Sequence, residues 1–321
     1  VVTLHLATEA DVDDALPGKL DTVRGLVPRG FRAVTRRGAF LRRAFVQTPL
    51  VSRVSDRRYE ARRTRYARYL PWVSADQRSI LGDLRTAGVS VRPASLPADV
   101  VDSAYGFVEL LRNKDVDEPC VKATPRELGL DPTLFAWGLS DHLLDLAECH
   151  IGLPPRYLGV EVKRELVESA AGRSHEAVRR WHLDHEDRRI LKVIVYLSDV
   201  HEGAGPFGYV HKSHSDAILE STNGHNLRGV TDEKMQTVVP RREWKQVTGA
   251  RMTAIHVDTG QVFHRVFPPS TAERYSVTFA YSSRSPFYVY SRLMLPRKVI
   301  HQLRSQLSRR QWDALCIGRG T

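Results

Sequence analysis

The stretch Arg180-Trp181-His182-Leu183-Asp184-His185-Glu186-Asp187 sets a histidine and a carboxylate one residue apart, just ahead of a strongly apolar segment. In an extended chain the side chains alternate faces with a period of two, so His182 and Asp184 point the same way. An imidazole and a carboxylate on one face are two of the three ligands of a 2-His-1-carboxylate facial triad, the donor set that holds ferrous iron with positions left open. The third ligand must come from far along the chain. His264, in Gly260-Gln261-Val262-Phe263-His264-Arg265-Val266, is the candidate, and Arg274-Tyr275-Ser276 follows ten positions later. Two competitors stand beside these residues. His185-Glu186-Asp187 is a second His-x-Asp, and His256 competes with His264. The same donor types also hold zinc, as in hydrolases.

The elements that must position these residues can be read from hydrophobic period. Ile190 to Leu197 alternates as a strand, with Leu191, Val193, Val195 and Leu197 on a wholly apolar face and Ile190, Lys192, Ile194 and Tyr196 on a mixed one. The mixed face is expected to look into a polar cavity and the apolar face to pack against helices or a second sheet. Further strands are expected at Val89–Val91, Tyr157–Val162, Phe207–Val210, Met252–Val257, Gln261–Phe267 and Arg274–Tyr281. Capping boxes open helices at Ser74…Gln77 and Thr124…Glu127, and Ser308 caps a final short helix. Other helices are expected over Leu96–Leu111, with Pro97 in the first turn, and over Ser140–His150, stopped by Gly152. His142, Cys149 and His150 on the latter read as surface or packing residues, because no carboxylate and histidine set shares one face of it. Helices first and strands after, with no βαβ alternation, predict a mainly β fold with flanking helices, a double-stranded β-helix or jelly roll of cupin type.

The division expected is an Arg-rich N-terminal extension, 1–73, packed on a core with a basic outer face, and an oxygenase domain, 74–321. The latter has a helical part at 74–152, a β core at 157–290 and a polar insertion at 216–250 near the site mouth. The 321 residues carry a formal net charge of +11, with arginine far outnumbering lysine. That excess weakly favours an anionic small-molecule substrate. No nucleic-acid-binding motif accompanies it, so nucleic acid is not the expected partner. No apolar run is long enough for a transmembrane helix, and the first residues lack the pattern of a secretory signal. Three scattered cysteines, Cys120, Cys149 and Cys316, form no CxxC. A reduced, cytoplasmic protein is the expectation.

Taken together, Trp181-His182-Leu183-Asp184, Lys192 to Val200, Gly205-Pro206-Phe207-Gly208-Tyr209-Val210 with Ser213-His214, His264 and Arg274-x-Ser276 resemble the phytanoyl-CoA-dioxygenase-like branch of the Fe(II)/2-oxoglutarate oxygenases. The resemblance covers roughly Ser74 to Ser285 and does not reach the N-terminal extension. It implies His182, Asp184 and His264 as ligands of Fe(II), in preference to His185, Asp187 and His256, with O2 and 2-oxoglutarate as co-substrates. Arg274 would hold the distal carboxylate of 2-oxoglutarate through two parallel hydrogen bonds, Ser276 would add a donor from the same strand face, and Lys192 is a further co-substrate candidate. The implied activity is oxidation of a small molecule, a specialised metabolite by the habit of the branch, with conversion of 2-oxoglutarate to succinate and CO2. Related halogenases lack the carboxylate ligand, so Asp184 favours hydroxylation, desaturation or oxidative ring closure. A zinc hydrolase, a nucleic-acid-modifying oxygenase and a non-catalytic binding module are the competing readings. A hydrolase would have no use for the Arg274-x-Ser276 anchor.

Overall fold

The computed structural model describes residues 49–114, 118–167, 179–222, 229–287 and 294–317, and for 49–53 the backbone alone. Most of the Arg-rich extension and part of the polar insertion lie outside the described residues.

Nine strands form among them: β1 (Val89–Pro93), β2 (Cys120–Lys122), β3 (Pro155–Glu165), β4 (Leu191–Tyr196), β5 (Phe207–Tyr209), β6 (Lys245–Val247), β7 (Thr253–Asp258), β8 (His264–Val266) and β9 (Arg274–Ser283). A large sheet has the order β1-β7-β4-β9-β3-β2 and a small one the order β6-β5-β8, with every neighbouring pair antiparallel. Between β4 and β9 the chain passes repeatedly from one sheet to the other. The helices are α1 (Pro49–Tyr66), α2 (Ala75–Thr86), α3 (Ala98–Arg112), α4 (Pro125–Leu128), α5 (Thr133–Trp137), α6 (Asp141–Ile151), α7 (Ser215–Ser221), α8 (Asp232–Gln236), α9 (Arg297–Leu303) and α10 (Arg309–Leu315).

Local sequence accounts for the helix ends. All three capping boxes form: at α2, for example, the Gln77 N–H donates to Ser74 Oγ and the Ser74 N–H to Gln77 Oε1, satisfying donors that the helix cannot. Gly152 ends α6 in the left-handed region at φ 74°, a conformation that glycine adopts without a Cβ clash.

The alternation in β4 sorts as its period requires. Leu191, Val193 and Val195 join Val160, Val162, Val277, Phe279 and Tyr281 in the main apolar core, which α2 to α6 cover. The opposite face carries Lys192, Ile194 and Tyr196, registered with Ala280, Thr278 and Ser276 of β9. Directly opposed residues share a face, so β3 continues it with Glu161, Lys163 and Glu165. A second apolar cluster, Tyr196, Phe207, Val247, Ile255, Val257 and Val262, joins the inner faces of the two sheets. The Tyr196 hydroxyl fastens them, donating to the Val247 carbonyl at 2.8 Å and accepting from the Phe207 N–H at 3.0 Å.

Several elements differ from the sequence reading. The insertion read as weakly periodic, yet it ends in β6, a strand of the small sheet. The edge strand β2 and the short helices α5, α7, α8 and α9 were not anticipated, because three to seven residues are too short for period to register. At the N-terminal side, α1 buries Tyr59 against the core and joins the segment after the His-x-Asp motif, where Arg188 Nε donates to Asp56 Oδ1 at 2.6 Å and its guanidinium lies over the Tyr59 ring. Arg57, Arg58, Arg62, Arg65 and Arg68 stay exposed.

Candidate metal centre

His182 and His264 are brought together by backbone pairing. Each N–H donates to the other's carbonyl at 3.0 Å, an isolated antiparallel bridge that puts both side chains on one face. Their rings lie 4.3 Å apart between centroids. Asp184 is set two residues on, its N–H donating to the Thr259 carbonyl at 2.8 Å. The donor atoms of His182, Asp184 and His264 all lie within 4.8 Å of one another, with His264 Nε2 3.9 Å from Asp184 Oδ2.

Second contacts choose the tautomers. His182 Nδ1 is 2.8 Å from the Arg180 carbonyl and His264 Nδ1 is 2.9 Å from the Val262 carbonyl. A carbonyl only accepts, so each Nδ1 carries the hydrogen and each Nε2 keeps its lone pair for the shared space. Burial, reinforced by His182, pushes the His264 imidazolium down to about 3, and burial also lowers His182. Burial alone would raise the Asp184 carboxyl, but Lys192, His264 and His182 outweigh it and hold it well below the usual carboxylate range. Two neutral imidazoles and one carboxylate are the protonation states that a metal ion requires. The donor set and its spacing fit one divalent cation.

The ligand strand rests on the insertion. Trp181, fully buried, pairs through its backbone with Val230, donates from Nε1 to Asp232 Oδ1 at 3.0 Å and packs edge-on against Trp244. Phe207 stacks on His264 at 5.6 Å.

The competing donors go elsewhere. His256 is registered with Val193 on the apolar face of the large sheet and so points toward the helical layer. The two oxygens of Asp187 accept from the N–H groups of Arg188 and Ser283, each at 2.8 Å. Glu186, the residue before Asp187, is buried, and its carboxyl is pushed up to about 7 by that burial and by Asp184.

Arg274 and Ser276 sit together on the inner face of β9, 2% and 0% exposed. One Arg274 terminal nitrogen donates to the Gly205 carbonyl, and the other is 3.6 Å from Glu165 Oε1. Arg274 Nε and Ser276 Oγ are buried with no hydrogen-bond partner. A native protein rarely leaves such groups unmatched, and a carboxylate is the ligand that would satisfy both. The fully buried Glu165 has Lys163 Nζ at 3.1 Å and Arg179 Nη2 at 3.0 Å besides Arg274, so three cations face one built-in anion. Lys192, by contrast, lies at the metal end: its Nζ is 2.5 Å from Asp184 Oδ2. Ser276 is registered with Tyr196, four residues along β4, about 13 Å away at strand rise. The charged inner face of β3 was missed in the sequence, although Glu161, Lys163 and Glu165 recur at every second position and carried that signal.

No protein-family model matches the chain, and no curated protein matches it. Solved structures do. The non-haem α-ketoglutarate-dependent epimerase SnoN from nogalamycin biosynthesis matches at 18% identity and a TM-score of 0.52, over 66% of this chain and 85% of that one. HygX from Streptomyces hygroscopicus, with nickel, 2-oxoglutarate and hygromycin B bound, matches at 18% identity and a TM-score of 0.46, over 66% and 88%. AviO1 from Streptomyces viridochromogenes Tue57 matches at 14% identity and a TM-score of 0.46, over 68% and 100%. The likeness to SnoN is one of fold: a sheet-rich, antiparallel architecture with flanking helices. Among the described residues no helix is long and apolar enough to cross a membrane.

Proposed function

We propose that the chain is a non-haem Fe(II)/2-oxoglutarate-dependent oxygenase of the phytanoyl-CoA-dioxygenase-like branch, built on a double-stranded β-helix. The strand order β3-β9-β4-β7 facing Trp181–His182, β8, β5 and β6 supports that winding. The observation that carries the function is the pairing of two unmet demands between the same two sheets. One is a His182–Asp184–His264 donor set with both Nε2 atoms turned inward. The other is the buried, unpartnered Arg274 Nε and Ser276 Oγ.

His182, Asp184 and His264 would hold the iron, and Arg274 with Ser276 the distal carboxylate of 2-oxoglutarate. When bound, iron with the keto acid and O2 supplies the oxidising power that removes a substrate hydrogen, with succinate and CO2 as by-products. The chain's own part is electrostatic and steric. The Arg180 and Val262 carbonyls hold the imidazoles in one tautomer. Lys192 balances the Asp184 charge. Phe207, stacked on His264, keeps water from one face of that ring. The excess of cations over Glu165 favours a dianionic co-substrate. Asp184 occupies the position that halide would need, so hydroxylation, desaturation or oxidative ring closure is favoured over halogenation. A small, anionic specialised metabolite is the substrate class proposed, in keeping with the place of SnoN in nogalamycin biosynthesis.

The test is succinate release from 2-oxoglutarate by the purified chain with Fe(II), against a panel of carboxylated and phosphorylated metabolites. Turnover is expected for the wild type and none for Asp184→Ala. A protein that takes up no iron and leaves 2-oxoglutarate untouched under every condition would overturn the proposal.

A further inference from the structure

We infer that His150 and Asp258, a buried pair outside the ligand set, are positioning residues that fix the metal centre from the helical layer. The inference rests on the metal-centre reading above.

His150 lies near the end of α6 and is 6% exposed, and Asp258 ends β7 and is 0% exposed. His150 Nε2 stands 3.0 Å from Asp258 Oδ2. A carboxylate buried this completely costs free energy unless it is matched, and the imidazole at ion-pair distance is the group the helix sets against it, although neither atom completes a hydrogen bond. The other carboxylate oxygen accepts from the Ile190 N–H at 3.3 Å. The Asp258 carbonyl accepts from the N–H groups of Gln261 and Val262, at 3.0 and 2.9 Å, closing a tight turn.

That turn touches two of the three ligands. The Thr259 carbonyl receives the Asp184 N–H at 2.8 Å, and the Val262 carbonyl receives His264 Nδ1 at 2.9 Å. The Thr259 N–H returns to the Ile190 carbonyl at 3.2 Å. Asp258 therefore pins the segments that carry Asp184 and His264 at one point, and His150 ties that point to a helix packed in the main core. Replacing the imidazole by an apolar group removes the polar group set against the carboxylate and frees the turn to shift. The two carbonyls that aim the ligands shift with it.

The probe is cobalt(II) alone, titrated anaerobically and followed by its ligand-field absorption, with thermal midpoints measured in parallel. His150→Leu is expected to bind cobalt about tenfold or more weakly, the range seen when outer partners of metal ligands are lost, with an altered band shape. His150→Gln, whose amide can reach the same carboxylate, is expected to recover most of the affinity. Leu144→Ala, on the same helix and fully buried, is expected to lower the midpoint without changing cobalt affinity. If His150→Leu does not fold, Asp258→Asn carries the comparison and is also expected to weaken binding. Wild-type affinity in His150→Leu or Asp258→Asn would overturn the inference. So would a loss in His150→Leu matched by Leu144→Ala. A wild type that binds no cobalt would instead sink the metal-centre reading.

Discussion

Arg274→Lys separates the anchoring role of this residue from its charge. Lysine keeps a cation near Glu165, which stays matched by three cations, so the fold should survive. What is lost is the planar fork: Nε, now without a partner, can no longer meet a carboxylate together with Ser276 Oγ. A hydrogen bond to a charged group contributes about 1.5–3 kcal/mol. At about 1.4 kcal/mol per tenfold, the Kd and KM for 2-oxoglutarate should rise roughly 10- to 150-fold. kcat should fall much less, because the distal carboxylate is held equally in ground and transition states. The binding assay is thermal or denaturant unfolding with and without 2-oxoglutarate. A concentration of 100 Kd stabilises the wild type by about 2.7 kcal/mol, whereas a variant with 100-fold weaker affinity gains only about 0.4 kcal/mol. Equal stabilisation of both proteins, with an unchanged KM, would refute the anchor and with it the use assigned to Ser276.

Two further outcomes follow from buried groups. Burial alone would raise the Glu165 carboxyl, but Lys163, Arg274 and Arg179 outweigh it and hold it well below the usual range. Its folded value thus lies below its unfolded value, so the stability it contributes is complete above about pH 4.3 and is lost as the pH falls below that. Denaturant midpoints should show Glu165→Gln less stable than wild type at pH 7 and less sensitive to acid between pH 5 and 3; parallel curves would contradict the charge cluster. Gly138→Ala should destabilise by about 1–3 kcal/mol, since a Cβ there would collide with the Tyr157 hydroxyl and the Phe279 ring in the sealed main core. An unchanged melting temperature would count against that packing.

The residues decided by local physics were readable one stretch at a time. Ser74, Thr124 and Ser308 announced helix starts because a capping oxygen needs only its own next turn. The alternation from Leu191 to Tyr196 separated core face from cavity face because a pleat has period two. The one-residue spacing of His182 and Asp184 put both on one side for the same reason, and the resemblance of the wider pattern pointed to His264 and Arg274. Strand register lay beyond that reach. His256 and His264 are alike as residues, and pairing across the sheet sends His256 behind the large sheet with Val193 while the bridge to His182 turns His264 inward. Asp187 repeats the spacing of Asp184, but its oxygens are taken by the Arg188 and Ser283 N–H groups, the second of them distant in sequence. Lys192 met Asp184 rather than the anchor, and Glu165, Lys163 and Arg179 gathered around Arg274, through contacts that no short window contains. A side chain's direction is a property of its own strand; what it meets there depends on which other strands are folded against it.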